Sequence, residues 1–219
     1  AELTDIADTA LRRFDRDIRS ALPNSIRVSS SGGVIYIEFL QTSGAGRYRA
    51  VAASTGISDP LDFTVSDSSF DILGTVPSVP SGAQLVVMNL GTGTGADAYA
   101  GDNRVTIGSV AGNKLNFASF LFPFDSPAHR FFVVEGPVSY ACNAAAGTLS
   151  RYSGYTIAAS QPVPPTGGSA ALVADKVAAC TFGYDAIASR TGMVSTSLTL
   201  TSGSESVRLF RQVAVNNSP

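Results

Sequence analysis

Apolar residues in the first two dozen positions recur at helical spacing. Leu3, Ile6, Ala7, Ala10, Leu11, Phe14, Ile18, Ala21 and Leu22 fall on one face, and Arg12, Arg13, Asp15, Arg16 and Arg19 lie mostly between them. This is the pattern of an amphipathic helix with one buried stripe. Pro23 has no N–H to donate and restricts the residue before it, so the helix is predicted to run from Leu3 to Leu22. Asp8 with Arg12, Arg13 with Asp17, and Asp15 with Arg19 stand one turn apart, and each such pair adds a few tenths of a kcal/mol. Twenty residues make a rod roughly 30 Å long. The periodicity is already running at residue 3 with little capping sequence before it. That predicts a helix longer than the part present, its other half a targeting or membrane segment.

From Asn24 onward the period changes to two. Val34-Ile35-Tyr36-Ile37-Glu38-Phe39 reads as a strand, with Arg47–Ala53 as its partner across a turn at Ser43-Gly44-Ala45-Gly46. Ser69–Leu73, Gln84–Asn89, Lys114–Phe117 and Phe131–Glu135 are further strands, and a Gly-Pro turn follows Glu135. The clearest hairpin comes last. Val194, Thr196, Leu198 and Leu200 alternate with polar residues, and after a turn at Ser202-Gly203-Ser204 so do Val207, Leu209, Val213 and Val215. Gln161–Gly168, with three prolines and two glycines, is a loop. One helix followed by many antiparallel strands predicts an α+β fold.

Composition narrows the function classes. The chain has 219 residues and 44% apolar content, enough for a core, but only 15% charged residues and a net charge of −2. It lacks the clustered Lys and Arg that nucleic acid requires. No run approaches the ~18 apolar residues of a membrane span. Cys142 and Cys180 are the two cysteines, each in a strand-like run, and in a low-charge, Ser/Thr-rich chain they predict a disulfide and an oxidising compartment. Closing that loop removes on the order of 4 kcal/mol of unfolded-state entropy.

Chemistry-bearing motifs are sparse. Leu85–Met88 leads into Gly91-Thr92-Gly93-Thr94-Gly95-Ala96, which formally fits a dinucleotide-binding pattern. That pattern requires a helix opening right after the glycines, and the Gly-broken segment Ala96–Asn103 does not supply one. Asp97, Asp102 and Asn103 in the same loop are hard oxygen donors of the kind that gather around Ca²⁺, without EF-hand spacing. His129 stands in a polar turn, and no G-x-S-x-G elbow accompanies it. Glu is confined to Glu2, Glu38, Glu135 and Glu205, with no arranged pair for glycoside hydrolysis. No enzyme activity, cofactor or metal is expected beyond those candidate Ca²⁺ ligands.

Several segments together resemble prepilin-type minor pilins. Ala10–Phe14 and Ala21–Arg27 resemble the end of the stalk helix in that family. Gly95–Arg104, Phe122–Pro127, Val138–Cys142, Arg151–Tyr155, Cys180–Tyr184 and the ending Gln212–Pro219 are similar to the MshO-like minor pilins of the mannose-sensitive haemagglutinin (MSHA) type IV pilus. In layout this family is similar to the J-type minor pseudopilins of type II secretion. The resemblance implies a prepilin whose leader is cleaved and whose apolar N-terminal helix sits in the inner membrane and then in the filament core. Residues 1–22 would be the second half of the stalk helix, packed on the antiparallel sheet of a head formed by residues 23–219. It implies a non-catalytic role in initiating a type IV pilus near its tip, with other minor pilins and the major pilin as partners. The head would be periplasmic before assembly and on the cell surface afterwards. Arg12, Arg13, Arg16 and Arg19, on the polar helix face, are the candidate partner contacts. The alternatives are a J-type pseudopilin serving secretion, a surface adhesin head binding through Gly91–Asn103 and Gln161–Gly168, and an unrelated secreted hydrolase.

Overall fold

The computed structural model describes residues 2–188 and 191–219. Among them are one helix, α1 (Glu2–Ile18), and twelve strands: β1 (Arg27–Ser31), β2 (Val34–Tyr48), β3 (Asp67–Leu73), β4 (Gln84–Val87), β5 (Arg104–Ala111), β6 (Lys114–Phe120), β7 (Arg130–Asn143), β8 (Thr148–Ser153), β9 (Ser169–Ala174), β10 (Val177–Ala188), β11 (Thr191–Ser202) and β12 (Glu205–Asn216). The α+β expectation, a long stalk helix on a sheet head, is overturned. The fold is mostly β, with 51% strand, 8% helix and a nine-stranded antiparallel sheet. The helix is one short element among many strands, because most of the chain is low-charge, Ser/Thr/Gly-rich sequence that a helical ladder does not suit.

α1 buries the predicted stripe of Leu3, Ala7, Ala10, Leu11, Phe14 and Ile18, and Glu2 and Asp5 sit in its first turn, where the helix dipole favours acids. It stops at Ile18, before the expected Leu22. The Ser20 and Ala21 amides reach back only three residues, to Asp17 and Ile18 (3.0 and 3.2 Å), and the Leu22 amide donates to Leu40 at 2.8 Å. The backbone has therefore tightened and crossed to β2 before Pro23 is reached.

Two compact units divide the chain, one formed by the residues up to Gln41 with Gly136–Ser218, the other by Thr42–Glu135 with Pro219. In the first, β1 and β2 form a hairpin pairing Ser31 with Val34, around Gly32 and Gly33 at φ 57° and 79°. Positive φ at both central residues is what a two-residue turn joining right-twisted strands requires. β10, β11 and β12 form a separate three-stranded sheet. Its β11–β12 hairpin, expected from the alternation, places Val194 opposite Val213 and Leu198 opposite Leu209. The core places the α1 stripe against Ile37, Phe39, Val138 and Tyr140 from one sheet and Phe182, Val194, Leu198 and Val213 from the other. Phe14 packs edge-on against Tyr140 (5.0 Å between centroids) and stacks on Phe182 (5.6 Å). The Cys142–Cys180 disulfide is present, and it links β7 of the larger sheet to β10 of the smaller within this core.

The second unit has its own core, in which Tyr48, Phe70, Leu85, Leu115, Phe122, Phe131 and Val133 are buried together. Its strand order is β2-β3-β6-β5-β4-β7, and a β2–β7 pairing closes the ring. The Tyr48 amide donates to the His129 carbonyl at 2.9 Å beside that closure. The first expected strand does not turn back: β2 runs unbroken from Val34 to Tyr48 through the glycines read as a turn, and residues 49–53 of the expected partner are not strand. A Cβ at Gly46 would lie 2.6 Å from the Phe131 ring, and one at Gly44 would lie 2.9 Å from Pro77. These glycines therefore serve close approach inside a strand. β7 likewise continues through Gly136 and Pro137, where a turn was expected.

Candidate functional site

The polar face of α1 carries three of the arginines expected to contact partners, and the fourth, Arg19, directly follows the helix. Arg12 and Arg16 side chains are 74% and 78% exposed, Arg19 is also exposed, and Arg13 is half-buried. Thr9, Arg12, Arg13 and Arg16 line a shallow groove of about 320 Å³ along the helix. Of the three intrahelical pairs expected, Asp8–Arg12 forms, at 2.6 Å. The other two do not, because their acids are drawn toward the sheets. Asp17 Oδ2 accepts from Arg151 Nε of β8 at 2.6 Å and from the Tyr140 hydroxyl of β7 at 2.8 Å. Asp15 faces Arg211 of β12 at 3.8 Å. Burial raises the Asp15 carboxyl above its ordinary range, opposed by the Arg211 and Arg19 charges. Arg211 also donates to Asp8 at 2.6 Å.

A second buried carboxylate lies in the same unit. Glu38, fully buried in β2, accepts from Arg27 Nε and Nη2 at 3.0 and 2.6 Å through one oxygen. Its other oxygen accepts from the Tyr155 hydroxyl at 3.1 Å. Arg27 also donates to the Ala158 and Ala159 carbonyls (2.9 and 2.6 Å), holding the segment that follows β8 against β1. Both clusters match each carboxylate with a guanidinium and a phenol, the arrangement that makes a buried charge tolerable. They brace the first unit.

Burial first, then the Asp17 charge, pushes the Tyr140 hydroxyl pKa up, and burial with the Glu38 charge does the same for Tyr155. In the second unit burial lifts Tyr48 to about 12. A folded pKa above the unfolded value of about 10 means the fold holds the proton more tightly. Stability from these groups is complete below a pH of about 10; the Tyr48 share is lost as pH rises toward about 12, and the shares of Tyr140 and Tyr155 at still higher pH. Urea unfolding is expected to show a flat contribution up to a pH of about 10 and a decline beyond it. A midpoint unchanged across the alkaline range would contradict this.

The candidate Ca²⁺ ligands serve their own loop. Asp97 Oδ1 accepts from the Tyr99 amide at 2.9 Å, and Asp102 Oδ2 from the Asp97 amide at 3.3 Å. Asn103, fully buried, donates through Nδ2 to the Val87, Met88 and Ala96 carbonyls at 3.1, 3.1 and 3.3 Å. Such bonds are the ordinary turn chemistry of Asp and Asn. Among the described residues no group of three or more His, Cys, Asp or Glu is placed to hold a metal ion. No helix follows the glycines of Gly91–Ala96. His129 is an exposed turn residue whose ring packs edge-on against Tyr48.

The sequence pattern missed the inward turn of Asp15 and Asp17 and the burial of Glu38. The available signal was placement: Asp17 directly precedes Ile18 of the apolar stripe, and Glu38 lies in an otherwise apolar run. Comparison of the chain with protein-family models, curated proteins and solved structures finds no match.

Proposed function

We propose that this chain is a non-catalytic assembly subunit of the minor-pilin kind, acting in the initiation of an MSHA-type type IV pilus near its tip. The observation that carries the reading is α1: one face is committed to the core of the first unit, while its other face presents arginines outward. That division suits a subunit that docks beside neighbours. The resemblance of segments along the chain to MshO-like minor pilins supports the same reading. On it, the partners are other minor pilins and the major pilin, reached from an inner-membrane location with the head in the periplasm. Among the described residues no helix is long and apolar enough to cross a membrane. Deleting the gene is expected to reduce surface pili severalfold when they are counted by electron microscopy. Pili undiminished in number would refute the role, and a protein-secretion defect in its place would move the chain to the J-type pseudopilins.

A further inference from the structure

By sequence, residues 2–19 are close to electrically balanced: Arg12, Arg13 and Arg16 of α1 and Arg19 just past its end are interleaved with Glu2, Asp5, Asp8, Asp15 and Asp17. The fold undoes that balance. Asp17, its side chain 9% exposed, is taken by Arg151, and Asp15, 18% exposed, is turned toward Arg211. Glu2 bonds Lys176 at 2.7 Å, and Asp8 is divided between Arg12 and Arg211. Among the described residues no carboxylate lies within ion-pair reach of Arg13 or Arg19, and Arg16 has only the rim of Asp17 at 4.0 Å. The outward face from residue 12 to 19 is therefore a stripe of under-neutralised guanidinium groups about 10 Å long.

We infer that this stripe docks an acidic helical segment of a neighbouring protein, one whose carboxylates recur at i, i+4 and i+7. The groove residues Thr9, Arg12, Arg13 and Arg16 stand at i, i+3, i+4 and i+7, the surface lattice that another helix matches. Guanidinium forks bind carboxylates with two parallel hydrogen bonds, which gives direction as well as charge. A lipid surface fits less well, because an interfacial helix needs exposed apolar side chains beside its cations. Here Leu3, Ala7, Ala10, Leu11, Phe14 and Ile18 are all buried. The inference rests on the assembly reading only in taking the partner to be a neighbouring subunit.

The test uses two synthetic helical peptides of identical composition. One has glutamates at i, i+4 and i+7, and the other has them scattered around the helix. Vesicles of mixed phosphatidylglycerol and phosphatidylcholine form a third arm. Binding to this chain is followed by fluorescence anisotropy for the peptides and by co-sedimentation for the vesicles, at low and high salt. The striped peptide is expected to bind about tenfold more tightly than the scattered one, a difference of about 1.4 kcal/mol. Salt should weaken it, and Arg13→Gln/Arg16→Gln/Arg19→Gln should abolish the preference, whereas Arg208→Gln on β12 should keep it. Circular dichroism verifies that both variants fold. Equal binding of the two peptides, preference for the vesicles, or a triple variant that still discriminates would overturn the inference. Lost pili on gene deletion without peptide discrimination would remove the docking inference and leave the assembly role. Discrimination with undiminished pili would do the opposite.

Discussion

Asp17→Ala is expected to lower the unfolding free energy by roughly 3–5 kcal/mol, as removal of one partner from a buried ion pair does. Arg151, its side chain 14% exposed, would be left without the carboxylate 2.6 Å from its Nε, and the Tyr140 hydroxyl would lose its acceptor. Gln41 and Ser153, which also accept from Arg151, are neutral and cannot replace that charge. Arg13→Ala, on the outer face of the same helix, is expected to change stability by no more than about 0.5 kcal/mol. Urea unfolding of both variants, followed by far-ultraviolet circular dichroism, provides the comparison. Equal losses would show that the bond between Asp17 and the sheet does not brace the first unit.

The second large effect is expected at Phe14. Its ring is 1% exposed and touches Tyr140 of β7 and Phe182 of β10 at once, so truncation removes the aromatic contact between the helix and both sheets of the first unit. Phe14→Ala should cost about 3–5 kcal/mol, made up of lost transfer free energy and the cavity left behind. Phe14→Leu, which refills most of that space, should cost markedly less. A Phe14→Ala loss below about 1 kcal/mol would mean that the site collapses around the smaller side chain.

How much of this molecule shows in its sequence depends on whether a pattern is local or is completed by a distant neighbour. The α1 stripe and the β11–β12 hairpin were legible because each repeats its own period over several turns or residue pairs. The cysteine pairing was legible by count. The turn expected at Ser43–Gly46 was not one, since glycine marks both turns and strands approached closely by another side chain, and only the position of Phe131 separates the two. β8 and β9 show little alternation: Thr148–Ser153 mixes polar and apolar residues, and Ser169–Ala174 is largely exposed. The opening helix carries the strongest single period in the chain and so points to α+β, whereas the strands outnumber it twelve to one among the described residues. For the candidate site, the arginine positions are visible in the periodicity. The charge they present is not, because it depends on where Asp15 and Asp17 point, and that is decided by Arg211 and Arg151 far along the chain.

Closure of the second unit's ring has a kinetic consequence. β2 and β7, which complete it, are separated by roughly 80 residues, and the chain entropy of bringing them together must be overcome before their pairing can return anything. Folding of this unit is therefore expected to be slow, in the millisecond-to-second range of non-local β topologies. Until the last strand docks, two long strands present unpaired backbone, which is the interval in which chaperone protection or low protein concentration matters most to yield.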